Sequence, residues 1–176
     1  SGKTTLMNML AGLYFPDSGH VYVDGEEVSI RSPKDSYNLG IGMIHQHFKL
    51  VDVFTAAENI ALGVREKGRY NLREIKKRIE EICRKYGFEM NPDQKVYSMT
   101  VSQKQTLEII KVLYRGADIL ILDEPTAVLT PQETEKLFNI IKNMRDDGKS
   151  IIIITHKLHE VLSVSDRVAI LRRGEY

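Results

Sequence analysis

The chain carries A-D-I-L-I-L-D-E-P-T-A-V-L-T-P-Q-E from Ala117 to Glu133. Within it, Ile119 to Leu122 are apolar without a polar break. That is how a strand covered on both faces of a parallel sheet reads. Asp123 and Glu124 follow at its C-terminal end, where open α/β sheets bind ligands. An acid beside a buried strand needs a partner, because burying it unpaired is costly. A magnesium ion held on phosphates would supply one.

Downstream, Thr130-Pro131-Gln132-Glu133 is a helix start. Thr130 caps, Pro131 takes the first helical position and Glu133 completes a capping box. Leu137, Ile140, Ile141 and Met144 form its core face, and Gly148 ends it. Ile151 to Ile154 reads as a second fully buried strand, ending in Thr155-His156, and Arg167 to Leu171 as a third.

Upstream, Ser1-Gly2-Lys3-Thr4-Thr5 matches the second half of the phosphate-loop pattern G-x-x-x-x-G-K-[ST]. Gly2 lets backbone approach phosphate, Lys3 reaches the β- and γ-phosphates, and the Thr4 hydroxyl ligates magnesium. The amides opening the next helix favour negative charge. The leading glycine and the strand that feeds such a loop are expected to precede Ser1. The chain is therefore expected to be a piece of a longer protein, and to bind ATP poorly by itself.

The helix after the phosphate loop is expected over Thr4 to Ala11, with Leu6, Met9 and Leu10 inward. His20 to Val28 alternates and turns at Asp24-Gly25, which predicts a hairpin. Ile41 to Ile44 is a short strand ending at His45-Gln46-His47. His45 and His47 read as structural, since a metal site from that pair lacks a third ligand. Leu72, Ile75, Ile79, Ile82 and Tyr86 recur at helical spacing, and Gly87 closes that helix. A second helix is expected over Ser102 to Arg115, capped by Ser102 with Gln105.

At 176 residues and 42% hydrophobic content, the chain has enough apolar material for one core. Its 25 basic and 24 acidic residues give a net charge of +1, which argues against binding nucleic acid through bulk charge. One cysteine, Cys83, rules out an internal disulfide and fits a reducing cytosol. No apolar run approaches a membrane span.

The order of motifs is more specific than any one of them. A phosphate loop, a glutamine after a strand, a helical insert, I-L-D-E-P-T and a strand ending in T-H together resemble the ATPase domain of ABC transporters. The resemblance covers almost the whole chain. It implies an α/β fold of the P-loop NTPase (RecA-like) type: a mostly parallel sheet flanked by helices, with an antiparallel hairpin and a helical insertion. The expected division is 1–53 for the start of the core, 54–116 for the helical subdomain and 117–176 for the rest.

The resemblance also implies roles. Ser1, Gly2, Lys3, Thr4 and Thr5 would bind ATP, and Thr4, Gln46 and Asp123 would hold Mg2+. Glu124 would polarise the attacking water, and Gln46 and His156 would contact the γ-phosphate. Thr100, Ser102 and Gln103 fall in the family's L-S-G-G-Q signature, which binds ATP held by a partner domain. Here that segment is Met99-Thr100-Val101-Ser102-Gln103, without either glycine, so its site is expected to be weaker. Thr130 replaces the family's usual aspartate, and its role as a helix cap accounts for it.

G-L-Y-F-P-D-S-G, M-I-H-Q-H-F-K-L and the run from Glu108 to Glu133 narrow the likeness to the first half of tandem ATPase subunits. Those subunits serve importers of simple sugars and nucleosides. The implied partners are a second ATPase domain, head to tail in the same full-length chain, and transmembrane permease subunits, at the cytoplasmic face of the membrane. Two other classes would use the same core. One is a soluble ATPase of translation or DNA repair, although the chain has no long coiled-coil or basic insertion. The other is a regulatory ATP-binding half with weak hydrolysis.

Overall fold

The computed structural model describes residues 2–63 and 71–175. Ser1 and Tyr176 lie outside them, as do residues 64–70 of the expected helical subdomain. The described elements run in the order α1 (Lys3–Leu10), β1 (Val21–Val23), β2 (Glu26–Val28), α2 (Pro33–Asn38), β3 (Ile41–Ile44), α3 (Ala56–Ala61), α4 (Leu72–Tyr86), α5 (Val101–Tyr114), β4 (Ile119–Asp123), α6 (Pro131–Asp146), β5 (Ser150–Ile154) and α7 (Leu158–Val164).

The central sheet is parallel, in the order β3-β4-β5, with Ile41 opposite Ile119 and Leu122 opposite Ile153. Side chains alternate across it. Leu120 and Leu122 join a large core with Ile60, Ile75, Ile79, Leu107, Ile110 and Met144 from α3 to α6. Ile119 and Ile121 face the other way, toward Ile30, Ile41, Met7 and Leu10. Burial on both faces is what the unbroken apolar run of β4 anticipates. Gly42 lets β3 press onto α5, since a β-carbon there would stand 2.1 Å from the Val112 side chain. Because the strands are parallel, all three C-terminal ends open on the same edge.

The hairpin forms where expected. Asp24 and Gly25 both have positive φ, 53° and 82°, as a tight two-residue turn of this kind requires. The Thr130 capping box is present, with Glu133 answering the Thr130 amide. On α4, Ile75, Ile79, Cys83 and Tyr86 are buried, and Gly87 closes the helix with φ 85°.

Four expectations need correction. α5 is capped by Thr100 with Gln103, not by Ser102 with Gln105. Both pairs have the three-residue spacing, but Thr100 holds the extended backbone a cap needs, while Ser102 lies inside the helix. Gln105 spends its amide on the Pro125 carbonyl instead, at 2.6 Å. Arg167 to Leu171 is not a strand; its apolar run finds no strand to pair with among the described residues, and Val168 and Ile170 are exposed. Ile151 to Ile153 are half-buried, because β5 is the edge of the described sheet. The inward residues of α1 are Met7 and Leu10, while Leu6 is largely exposed.

Candidate nucleotide site

The described site lies at the C-terminal edge of the sheet. β3 delivers His45 and Gln46, β4 delivers Asp123 and Glu124, and β5 delivers Thr155 and His156. The N-terminus of α1 meets them there. The Thr4 hydroxyl lies beside the Asp123 carboxylate and favours its charge, and His45 and Lys3 act on the same group by charge. Burial pushes the Asp123 carboxyl up, and the neighbouring Glu124 adds to that, against the pull of Thr4, His45 and Lys3. A cation at this spot would relieve both destabilising effects.

Glu124 has φ 47°, an uncommon left-handed backbone for a residue with a β-carbon. Its amide donates to the Ile154 carbonyl of β5 at 2.9 Å, which fixes the turn. The result carries the Glu124 carboxylate to His156, with Nδ1 and Oε1 3.2 Å apart. Gln46 is exposed just past β3 and shares one small groove with His45, Gln105, Asp123 and Glu124. Lys3, Thr4, Gln46, Asp123, Glu124 and His156 thus lie together at one edge of the sheet. Gly2 precedes them with φ 82°, and Thr5 is exposed on α1. Ser1 is outside the described residues.

Thr100, Ser102 and Gln103 do not join this group. They line a separate cleft of about 470 Å3 between the end of α4, the start of α5 and α6. There the Glu133 carboxylate is held low chiefly by the Thr130 amide and hydroxyl, with Ser102 adding to the effect.

Several contributors escaped the reading of the sequence. His45 is half-buried against the site, and its pKa is lowered by burial and by Lys49 despite the pull of Asp123 and Glu108. Glu108 accepts the Lys49 amide at 2.8 Å and Lys111 donates to the Lys49 carbonyl at 3.1 Å, so α5 holds the segment after Gln46. A buried cluster of Thr126, Thr155, Lys157 and Glu160 lies behind Glu124 and His156. The only signal for that cluster is a glutamate four residues after a strand-end histidine, which reads as a solvated helix start.

The site's oxygen donors suit a hard cation. Among the described residues no group of three His, Cys, Asp or Glu side chains could hold a metal. Thr4, Gln46 and Asp123 supply a hydroxyl, an amide carbonyl and one carboxylate, the sparse set that leaves a magnesium ion to take its remaining ligands from water and phosphate.

The ABC transporter family model matches residues 1–127. The chain belongs to the ABC transporter family. Among curated relatives of this ABC transporter family chain is the nucleoside import ATP-binding protein NupA of Lactococcus lactis, 52% identical over 99% of the chain. The guanosine import ATP-binding protein NupO of Bacillus subtilis is 51% identical over the same share. The ribose import ATP-binding protein RbsA 1 of Streptomyces avermitilis is 44% identical, again over 99%. The chain spans about a third of the length of these relatives, 35%, 35% and 34%. A solved nucleotide-free ATP-binding cassette of an ABC transporter superposes with a TM-score of 0.80 at 25% identity, over 94% of this chain and 70% of that one. A dimeric cassette in a post-hydrolysis state with ADP and phosphate superposes with a TM-score of 0.73 at 26% identity, over 90% and 72%.

Proposed function

We propose that this chain binds and hydrolyses ATP as part of an importer for simple sugars or nucleosides. The observation that carries the reading is the approach of Thr4, at the start of α1, to Asp123, at the end of β4, close enough to favour the charged carboxylate. Two residues far apart in sequence meet where a phosphate loop and its metal carboxylate must meet.

Lys3 and the first amides of α1 bind the β- and γ-phosphates. Thr4, Gln46 and Asp123 would hold Mg2+, which when bound neutralises charge building on the phosphate oxygens. Glu124 orients a water in line with the γ-phosphorus and takes its proton as the bond to ADP breaks. His156 donates Nδ1–H to the Glu124 carboxylate, which orients that base and sets the imidazole beside the γ-phosphate. The chain's work is thus placement and charge stabilisation.

The import ATP-binding relatives support a wider assembly. A second ATPase domain, in the same full-length chain, would close head to tail over the nucleotide and present its own signature segment to it. Thr100, Ser102 and Gln103 would in turn face the second domain's ATP. Transmembrane permease subunits would dock on the helical region, 54–116, and on the segment leading into it. Val53 and Tyr97, 67% and 69% exposed, supply apolar surface there. The protein would work at the cytoplasmic face of the membrane; no described helix is long and apolar enough to cross it.

The test is Glu124→Gln in the full-length protein. Turnover should fall by about a hundredfold or more, the scale of a lost general base, while bound ATP is retained after rapid filtration. Unchanged turnover would remove Glu124 from the chemistry.

A further inference from the structure

Glu160 is a carboxylate that the chemistry above leaves unused. It sits in the first turn of α7 and is 1% exposed, while Leu158 and Leu162 of the same helix are 71% and 79% exposed. A helix that hides its acid and shows its leucines inverts the usual amphipathic pattern. Such an acid needs compensating partners, because an ionised group out of water is strongly disfavoured.

Its partners come from two loops. Oε1 accepts from the Thr126 hydroxyl in a short hydrogen bond and from Lys157 Nζ at 3.1 Å. Oε2 accepts from the Thr155 hydroxyl at 2.9 Å. Lys157 Nζ also donates to the Thr126 carbonyl at 3.0 Å, and the Lys157 amide donates to Thr155 Oγ1 at 3.1 Å. Burial alone would raise the Glu160 carboxyl; the donors from Thr126, Lys157 and Thr155 outweigh it and hold it below the ordinary range.

Thr126 follows Glu124 by two residues, and Thr155 and Lys157 flank His156. The sheet ladder joins these two loops only as far as the Glu124 amide on Ile154. Beyond that amide, Glu160 and Lys157 tie the loops together. The gap between His156 Nδ1 and Glu124 Oε1, 3.2 Å, is spanned by residues one or two positions from those the clamp holds.

We propose that Glu160 is a positioning residue for ATP hydrolysis. It locks the turn carrying His156 to the loop carrying Glu124, and so sets the gap at which water and γ-phosphate are held. The proposal rests on the roles given to Glu124 and His156 above. Glu160 itself touches neither nucleotide nor water; it acts through His156.

A double-mutant cycle on the full-length protein tests it, using Glu160→Gln, His156→Ala and both together, with residual turnover followed by radiolabelled phosphate release. Glu160→Gln should lower kcat roughly tenfold, a moderate misplacement effect, with the KM for ATP within about twofold. Added to His156→Ala, it should lower kcat by less than about twofold more, because residues acting as a unit are not additive. A purely structural acid would instead give independent, multiplying losses, and that result overturns the proposal. So does an unchanged kcat for Glu160→Gln. Should that variant fail to fold, Thr126→Val, which removes one arm and leaves Lys157 and Thr155 in place, carries the same cycle and expectations. Wild-type turnover in His156→Ala would bring down the assigned role of His156 and this proposal with it. Lost turnover there, with additive Glu160, brings down this proposal alone.

Discussion

Cys83 shows how one buried side chain links fold to pH. It is packed in the core of α4, and its thiol is pushed up from the usual 9.0 to about 11, by burial and by the charge of Glu80. The folded chain therefore holds this proton more tightly than the unfolded chain. Stability from this source is intact below pH 9.0 and drains away as pH rises toward about 11. Two pH units correspond to a loss on the order of 3 kcal/mol. Iodoacetamide at pH 8 should label Cys83 only in denaturant; fast labelling of the native protein would contradict the burial. Residues that needed only a position in the chain were legible: Lys3, Thr4, Gln46, Asp123, Glu124 and His156 all sit next to a strand or helix end. Glu160 and Thr126 were not, because burial of a polar residue emerges only when separate loops meet.

Helix starts were legible where a single candidate cap stood alone. Thr130 with Pro131 and Glu133 had no competitor, and its box is present. At α5 two Ser/Thr residues each had a glutamine three positions on, and the spacing could not choose between them. The structure chooses Thr100, whose hydroxyl accepts the Gln103 amide at 3.2 Å while Gln103 Oε1 accepts the Thr100 amide at 2.9 Å. Urea unfolding should therefore show a cost of about 1 kcal/mol for Thr100→Ala, the usual value of a lost cap. Ser102→Ala should stay within about 0.5 kcal/mol. The reverse order would contradict the corrected start. Arg167 to Leu171 failed for a different reason. An apolar run records which residues could be covered, and a strand exists only if a neighbour pairs with it.

At the scale of the molecule, three parallel strands set one edge, and helices on one face with α1 and the hairpin on the other leave that edge open. The sequence made this arrangement readable through the unbroken apolar runs of β3 and β4, which require cover on both sides. It could not show that the signature segment lies in a separate cleft, away from Lys3 and Asp123, since that depends on how α4, α5 and α6 are arranged around it. The central claim is that Thr4 and Asp123, brought together by this packing, hold the cation of a bound nucleotide. Mn2+ titrated into the full-length protein with ATP, and followed by electron paramagnetic resonance of the free ion, tests it most directly. Asp123→Asn and Thr4→Val should each weaken ATP-dependent Mn2+ binding at the Lys3 site by roughly tenfold or more, the scale of a lost metal contact. Equal Mn2+ affinity in the wild type and both variants would contradict the account.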